Sequence, residues 1–181
     1  MMRPDIRAAR HIIRCLQCSR GAALTEFVLI VPMMALMLAG VVEATAMLRL
    51  DRKLQNAAYA TADLATQKPT LKNSRLADIF AAADLVIQPY LEQGLSVGIS
   101  SVIFDSDDGT PNVEWTESLR GGTVADAASL ATGMGPPGDS VVIVRARYTY
   151  TPMFGDLVFG NIQLEEVAFA HPRRSASIER E

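Results

Sequence analysis

The chain has 181 residues, about one domain with an appendage. It is 49% apolar and 20% charged, with a positive mean hydropathy, which excludes a disordered, collagen-like or low-complexity chain. The formal charge of −3 is laid out unevenly: residues 1–21 hold Arg3, Arg7, Arg10, Arg14 and Arg20 against Asp5 alone, so residues 22–181 carry a net −7. That balance argues against a nucleic-acid partner for the main body.

After the basic leader, residues 1–21, comes an apolar run from Ala22 to Val42 whose only charge is Glu26. Its uncharged part, Phe27–Val42, would rise roughly 24 Å as a helix, slightly short of a hydrocarbon core of about 30 Å. Continuing to Leu48 closes the gap, with Glu43 near the far headgroups. One transmembrane helix, residues 22–48, is the economical reading. Five Arg precede it while Arg49, Arg52 and Lys53 follow, so the positive-inside rule puts the N-terminus in the cytoplasm and the remainder outside. A cleaved signal peptide is the alternative, since Ala44-Thr-Ala46 has the A-x-A form of a cleavage site and the mature chain would begin at Met47. The apolar run exceeds the roughly 7–15 residues of a signal core, and Glu43 sits beside the supposed site; both favour a retained span.

Glu26 is the most informative residue. A carboxylate in a spanning helix costs about 2.5–3.5 kcal/mol at mid-bilayer on insertion scales, less near an end. On the ordinary reading it marks the cytoplasmic end and reaches the headgroups. On the functional reading it has a specific cationic partner. Cutting after Gly21 would create an α-amine at Ala22, largely charged at neutral pH, and Ala22 and Glu26 are i and i+4 on one helix face. The same pairing between neighbouring copies would fix their axial register, because an unpaired charge in low dielectric is costly.

Arg20-Gly21-Ala22-Ala-Leu-Thr-Glu26-Phe27, behind a basic leader and ahead of a long apolar helix, resembles the processing site of type IV prepilins. With Val-Leu-Ile-Val-Pro32 following, and then Gly40-Val-Val-Glu43, it is similar to the TadE-like family, pseudopilins of the tight-adherence (Flp-type) pilus system. The specific part runs from about Arg20 to Leu64. The resemblance implies that a prepilin peptidase cuts between Gly21 and Ala22, that Glu26 is the acid at mature position five, and that Phe27 is the following aromatic. Pro32, Gly40 and Glu43 match family tendencies within the span. It also implies a pilin-like architecture, residence in the inner membrane with the domain in the periplasm, other tight-adherence pilus proteins as partners, and possible self-association.

From Glu43 to Gln67 the chain stays helix-friendly and becomes amphipathic, with Met47, Leu50, Leu54, Ala57, Ala58, Thr61, Leu64 and Ala65 at three- and four-residue steps. This extension, residues 49–67, offers its small residues either to another helix or to the protein's own sheet. Pro69 limits it. A second amphipathic helix is predicted from about Ser74, its N-cap, to Gln88, with Leu76, Ile79, Phe80, Ala83 and Ile87 inward.

The period becomes two at Leu95, where Leu95, Val97, Ile99, Ser101 and Ile103 alternate. A shorter strand is predicted at Asn112–Thr116, with Asp105–Gly109 as the turn between them. That turn lacks the spacing of an EF-hand and its Glu at position twelve. Gly121–Gly138 reads as a loop with a short helix near Val124–Ala131. In Ser140–Thr151, Val142, Val144, Ala146, Tyr148 and Tyr150 face inward and Arg145 and Arg147 face solvent. A last strand is expected near Ile162–Ala170, and residues 172–181 read as a polar, frayed tail. The expected fold is therefore α+β: a long N-terminal helix, its amphipathic extension, and a small antiparallel sheet domain over residues 71–171.

Little suggests catalysis. Cys15-Leu-Gln-Cys18 is a lone C-x-x-C in the leader; zinc would need ligands from another chain, and incidental or lipidated cysteines are the simpler reading. His171, the one exported histidine, reads as a strand-end residue. No catalytic motif or paired carboxylates are recognisable, and no cofactor or metal is expected. The expected function is thus a non-enzymatic, pseudopilin-like component of tight-adherence pilus assembly. An uncut, membrane-anchored periplasmic binding or scaffold module is the alternative. A tethered enzyme using carboxylates is a further rival, to be recognised by a deep pocket with facing acids.

Overall fold

The computed structural model describes residues 19–153 and 160–181, and of residues 19–22 the backbone alone. Residues 1–18, with Cys15 and Cys18, lie outside the described residues. Helix α1 runs Ser19–Thr66, and the chain divides into two compact units between Ala44 and Thr45.

In the first unit, every large apolar side chain from Leu24 to Val42 is exposed. Pro32 sits inside the helix without ending it. Its missing N–H leaves the Val28 carbonyl without the usual i→i−4 bond, a defect that membrane helices tolerate.

In the second unit, α1 turns one face inward: Leu50, Leu54, Ala57, Ala58, Ala62 and Ala65 are buried. Strand β1, Thr70–Leu71, leads to helix α2, Asn73–Ile87, which buries Leu76, Ile79, Phe80, Ala83 and Ile87 as the periodicity predicts. Its N-cap is Lys72 rather than Ser74, and no side chain caps it. Lys53 Nζ donates to the Val86 carbonyl at 3.2 Å, while Arg75 donates to Gln67 at 3.2 Å. The two helices therefore run antiparallel along this stretch.

After a 3₁₀ turn at Glu92–Gly94 come β2, Leu95–Phe104, and β3, Pro111–Leu119. Helix α3, Ala127–Ala131, precedes β4, Ser140–Tyr150, and β5, Ile162–Ala170. The four long strands form an antiparallel sheet of order β3-β2-β4-β5, so the molecule is an α+β protein with a long apolar helix at its N-terminal side. The β2–β3 turn follows its sequence. Asp105 and Asp108 accept backbone N–H bonds from Asp107 and Thr110, both at 2.8 Å, and Gly109 takes φ +72. Strand β3 is longer than the predicted Asn112–Thr116. Ser101 pairs with Trp115 and the next residue, Val102, with Val113, leaving Glu114 as a bulge; the bulge breaks the alternation that would have revealed the full strand.

One sheet face, carrying Leu95, Val97, Ile99, Val142, Val144, Ala146 and Tyr148, joins the helical residues in the main core. The opposite face is covered as well. Val102, Phe104, Val141 and Ile143 pack with Val124, Ala127 and Ala131 in a second cluster. The covering segment comes down backbone to backbone: a Cβ on Gly122 would lie 2.3 Å from the Val97 backbone. Arg145, expected in solvent, is therefore 8% exposed. It donates to Asp126 at 2.9 Å, and its Nε lies 3.1 Å from Glu165.

The tail also departs from expectation. Strand β6, Glu179–Arg180, pairs in parallel with β1. Ile178 is fully buried, Trp115 Nε1 donates to its carbonyl at 2.6 Å, and Arg180 Nε donates to Glu117 at 2.6 Å. One isoleucine and a backbone acceptor suffice to hold a segment whose composition is polar.

Candidate functional site

The residues singled out in the sequence all fall on α1. Gly21 and Ala22 lie in its first described turns. Helical geometry puts Ala22 and Glu26 on one face, a turn apart. Glu26 is exposed and Phe27 is 63% exposed, so among the described residues neither is covered by another element. Seventeen residues further on, about 25 Å along the axis, Glu43 is half-buried and engaged in an interaction. Gly40 lies one turn before it on the same side, and a Cβ there would meet nothing within 4 Å. Along the helix, therefore, Ala22 and Glu26 occupy one turn and Gly40 and Glu43 another, with Pro32 between them.

A helix exposing Leu24, Leu29, Met33, Leu36, Met37 and Val41 all round has no stable arrangement in water. Among the described residues it is the one helix long and apolar enough to cross a membrane, which points to a single-pass membrane anchor.

In the second unit the charged groups serve the fold. A hydrogen bond from Arg145 holds the Asp126 carboxyl below its ordinary range, and Arg145 is raised in return. Arg120 donates to both Asp84 oxygens at 2.8 Å, which raises its own pKa. Glu166 moves the other way: burial raises its carboxyl, and the charge of Asp51 adds to the shift. A shallow polar recess of about 300 Å³ is lined by Lys68, Thr70, Lys72, Ser74, Arg75 and Asp78; one acid among cations and hydroxyls is not the facing carboxylate pair of a glycosidase-like centre. Among the described residues no group of three His, Cys, Asp or Glu is placed to hold a metal ion. His171 Nδ1 lies 3.1 Å from the Ser140 carbonyl at the end of β5.

Sequence reasoning missed the clasp of Trp115 on Ile178, the burial of Arg145, and a bond from Tyr90 Oη to the Ala46 carbonyl at 3.2 Å. Only Ile178, a lone large apolar residue in a polar stretch, gave a signal that could have been read.

No curated protein and no solved structure matches the chain. A family model described as TadE-like protein matches residues 21–63, from the glycine of the expected processing site through the span and most of the buried stripe of α1. Over that segment, which contains Gly21, Ala22, Glu26, Phe27, Pro32, Gly40 and Glu43, the chain is similar to the TadE-like family.

Proposed function

We propose that this protein is a pseudopilin-like component of tight-adherence (Flp-type) pilus assembly, processed by a prepilin peptidase between Gly21 and Ala22. The TadE-like match implies a tight-adherence pilus-associated protein. The observation that carries the finer reading is the Gly21–Glu26–Phe27 spacing at the head of an unbroken apolar helix whose flanks the protein leaves open. The protein sits in the inner membrane with its leader in the cytoplasm and its α+β domain in the periplasm. Residues 22–48 span, and residues 49–67 carry the helix into the domain of residues 71–171. Its role is structural: it is the peptidase's substrate, and other pilus proteins or further copies of itself are its partners.

Each part of the site then has a physical task. Helix α1 runs through the Gly21–Ala22 bond, so cleavage requires local unwinding. Gly lowers that barrier by about 1 kcal/mol relative to Ala. The new amine at Ala22 stands one turn from Glu26 and neutralises it, within one chain or across to the next. Phe27 and the apolar flanks supply the packing surface.

Two substitutions separate the tasks. Gly21→Ala is expected to accumulate uncut protein in the membrane, read as a mass increase matching the retained leader. Glu26→Ala should insert as well as the parent, or better, because it removes a charge from the span, yet fail to support piliation. Wild-type piliation by Glu26→Ala would refute the pairing.

A further inference from the structure

One end of the second unit, near the residues of α1 that begin it, carries exposed apolar side chains. The contacts of α1 locate that end. Gln67 meets Arg75, Lys53 meets Val86, and Ala46 meets Tyr90, so the chain after α2 descends toward the start of the unit. There Tyr90 packs edge-on against Tyr148, with ring centroids 6.3 Å apart, and Tyr148 pairs with Leu95 at the beginning of β2. Strand β4 ends at Tyr150 on this side. Three of the chain's four tyrosines therefore gather at one end of the domain. Leu91, next to Tyr90, is 73% exposed; Met153, three residues past the end of β4, is 81% exposed, and Leu48 on α1 is 62% exposed. Arg49 and Arg52 are exposed immediately above. Tyr148 and Tyr150 are buried and Tyr90 is half-buried, so the surface at this end is made of exposed apolar side chains with cations above, a pattern that suits a membrane interface.

We propose that this end of the domain seats on the phospholipid bilayer from which α1 emerges, with Leu91 and Met153 entering the boundary between headgroups and acyl chains. The occupant follows from continuity. Ala46–Leu48 closes the apolar run that requires lipid, and Tyr90, the residue before the exposed Leu91, is bonded at Ala46. The inference rests on the membrane-anchor reading.

The test uses the full chain with Cys15 and Cys18 replaced by serine, reconstituted in vesicles of phosphatidylcholine and phosphatidylglycerol. Single cysteines at Leu36, Leu91, Met153 or Val113 carry an environment-sensitive fluorophore. Val113 is 47% exposed but pairs with Val102 toward the opposite end of β2. All four sites are exposed, so substitution leaves the core intact. Lipids with a quencher near the headgroup are expected to quench Leu91 and Met153 at least threefold more than Val113, while Leu36 responds to a quencher placed deep in the chains. If Leu36 is quenched and Leu91 and Met153 behave like Val113, the seating is wrong and the anchor stands. If Leu36 is not quenched, the anchor fails and the seating with it. Shielding of Leu91 from aqueous iodide without lipid quenching would assign this end to a protein neighbour and overturn the proposal.

Discussion

Residues 23–44 and 45–66 form one continuous helix, yet they follow opposite rules of burial. In the first stretch large side chains such as Leu36 and Met37 stand exposed at 74% and 72%. In the second, Leu50 and Leu54 are fully buried, and Ala57, Ala58, Ala62 and Ala65 let a sheet and a second helix come close. Backbone hydrogen bonding is the same in both, so helicity says nothing about where each belongs. The distinction lies in side-chain size and in the solvent each stretch is suited to. Large apolar groups on every side need lipid, whereas a single apolar stripe needs a protein core.

The same substitution placed in each stretch sharpens that contrast most. Leu54→Ala should destabilise the domain by about 2–5 kcal/mol, the range for a fully buried leucine. Leu36→Ala should change it by less than about 0.5 kcal/mol, as expected of an exposed position. Urea unfolding of the detergent-solubilised chain, followed by Trp115 fluorescence, measures both; equal effects would break the comparison.

Next in size is Gly122→Ala, which pushes a Cβ into the Val97 backbone. A loss of about 1–3 kcal/mol is expected in the same assay, with no effect on vesicle binding. Trp115→Phe removes the bond to the Ile178 carbonyl and should cost about 0.5–1.5 kcal/mol by circular dichroism, together with faster proteolysis of the last residues.

The smallest effects depend on pH, and two carboxylates move in opposite directions. Burial, with Asp51 nearby, raises Glu166, so the folded state holds that proton more tightly than the unfolded chain. Its stabilising contribution is present at acid pH and is lost as pH rises through the carboxylate range. Glu166→Gln should therefore raise the melting temperature near neutral pH and leave it unchanged in acid. Asp126 is lowered by Arg145, so its contribution is present near neutral pH and disappears as pH falls. Asp126→Asn should lower the melting temperature near pH 7 and lose that effect in acid. Melting curves across pH check both signs.

How much was legible in the sequence follows the same division. The candidate span was legible through sixteen uncharged residues in a row, while the processing site proposed at Gly21 rests on its spacing to Glu26 alone. Helix α2 and strands β2, β4 and β5 were legible because the residues each turns toward the main core recur at regular spacing. The second cover was not, because a Gly- and Ala-rich segment has no strong period and gains its cohesion from close backbone approach at Gly122. Arg145 was misread for that reason: alternation assigns it to the outer face, and only tertiary structure reveals that Asp126 and α3 lie over it. The tail was misread because composition counts residues, while one buried isoleucine and a short parallel pairing decide its place.

The central claim is that the apolar stretch is a processed assembly helix, and the N-terminal sequence of the protein extracted from membranes that contain the prepilin peptidase tests it most directly. A chain beginning at Ala22 is the predicted result. A chain beginning at Met1 would make it an uncut anchor, and one beginning at Met47 a secreted domain; either would contradict the account.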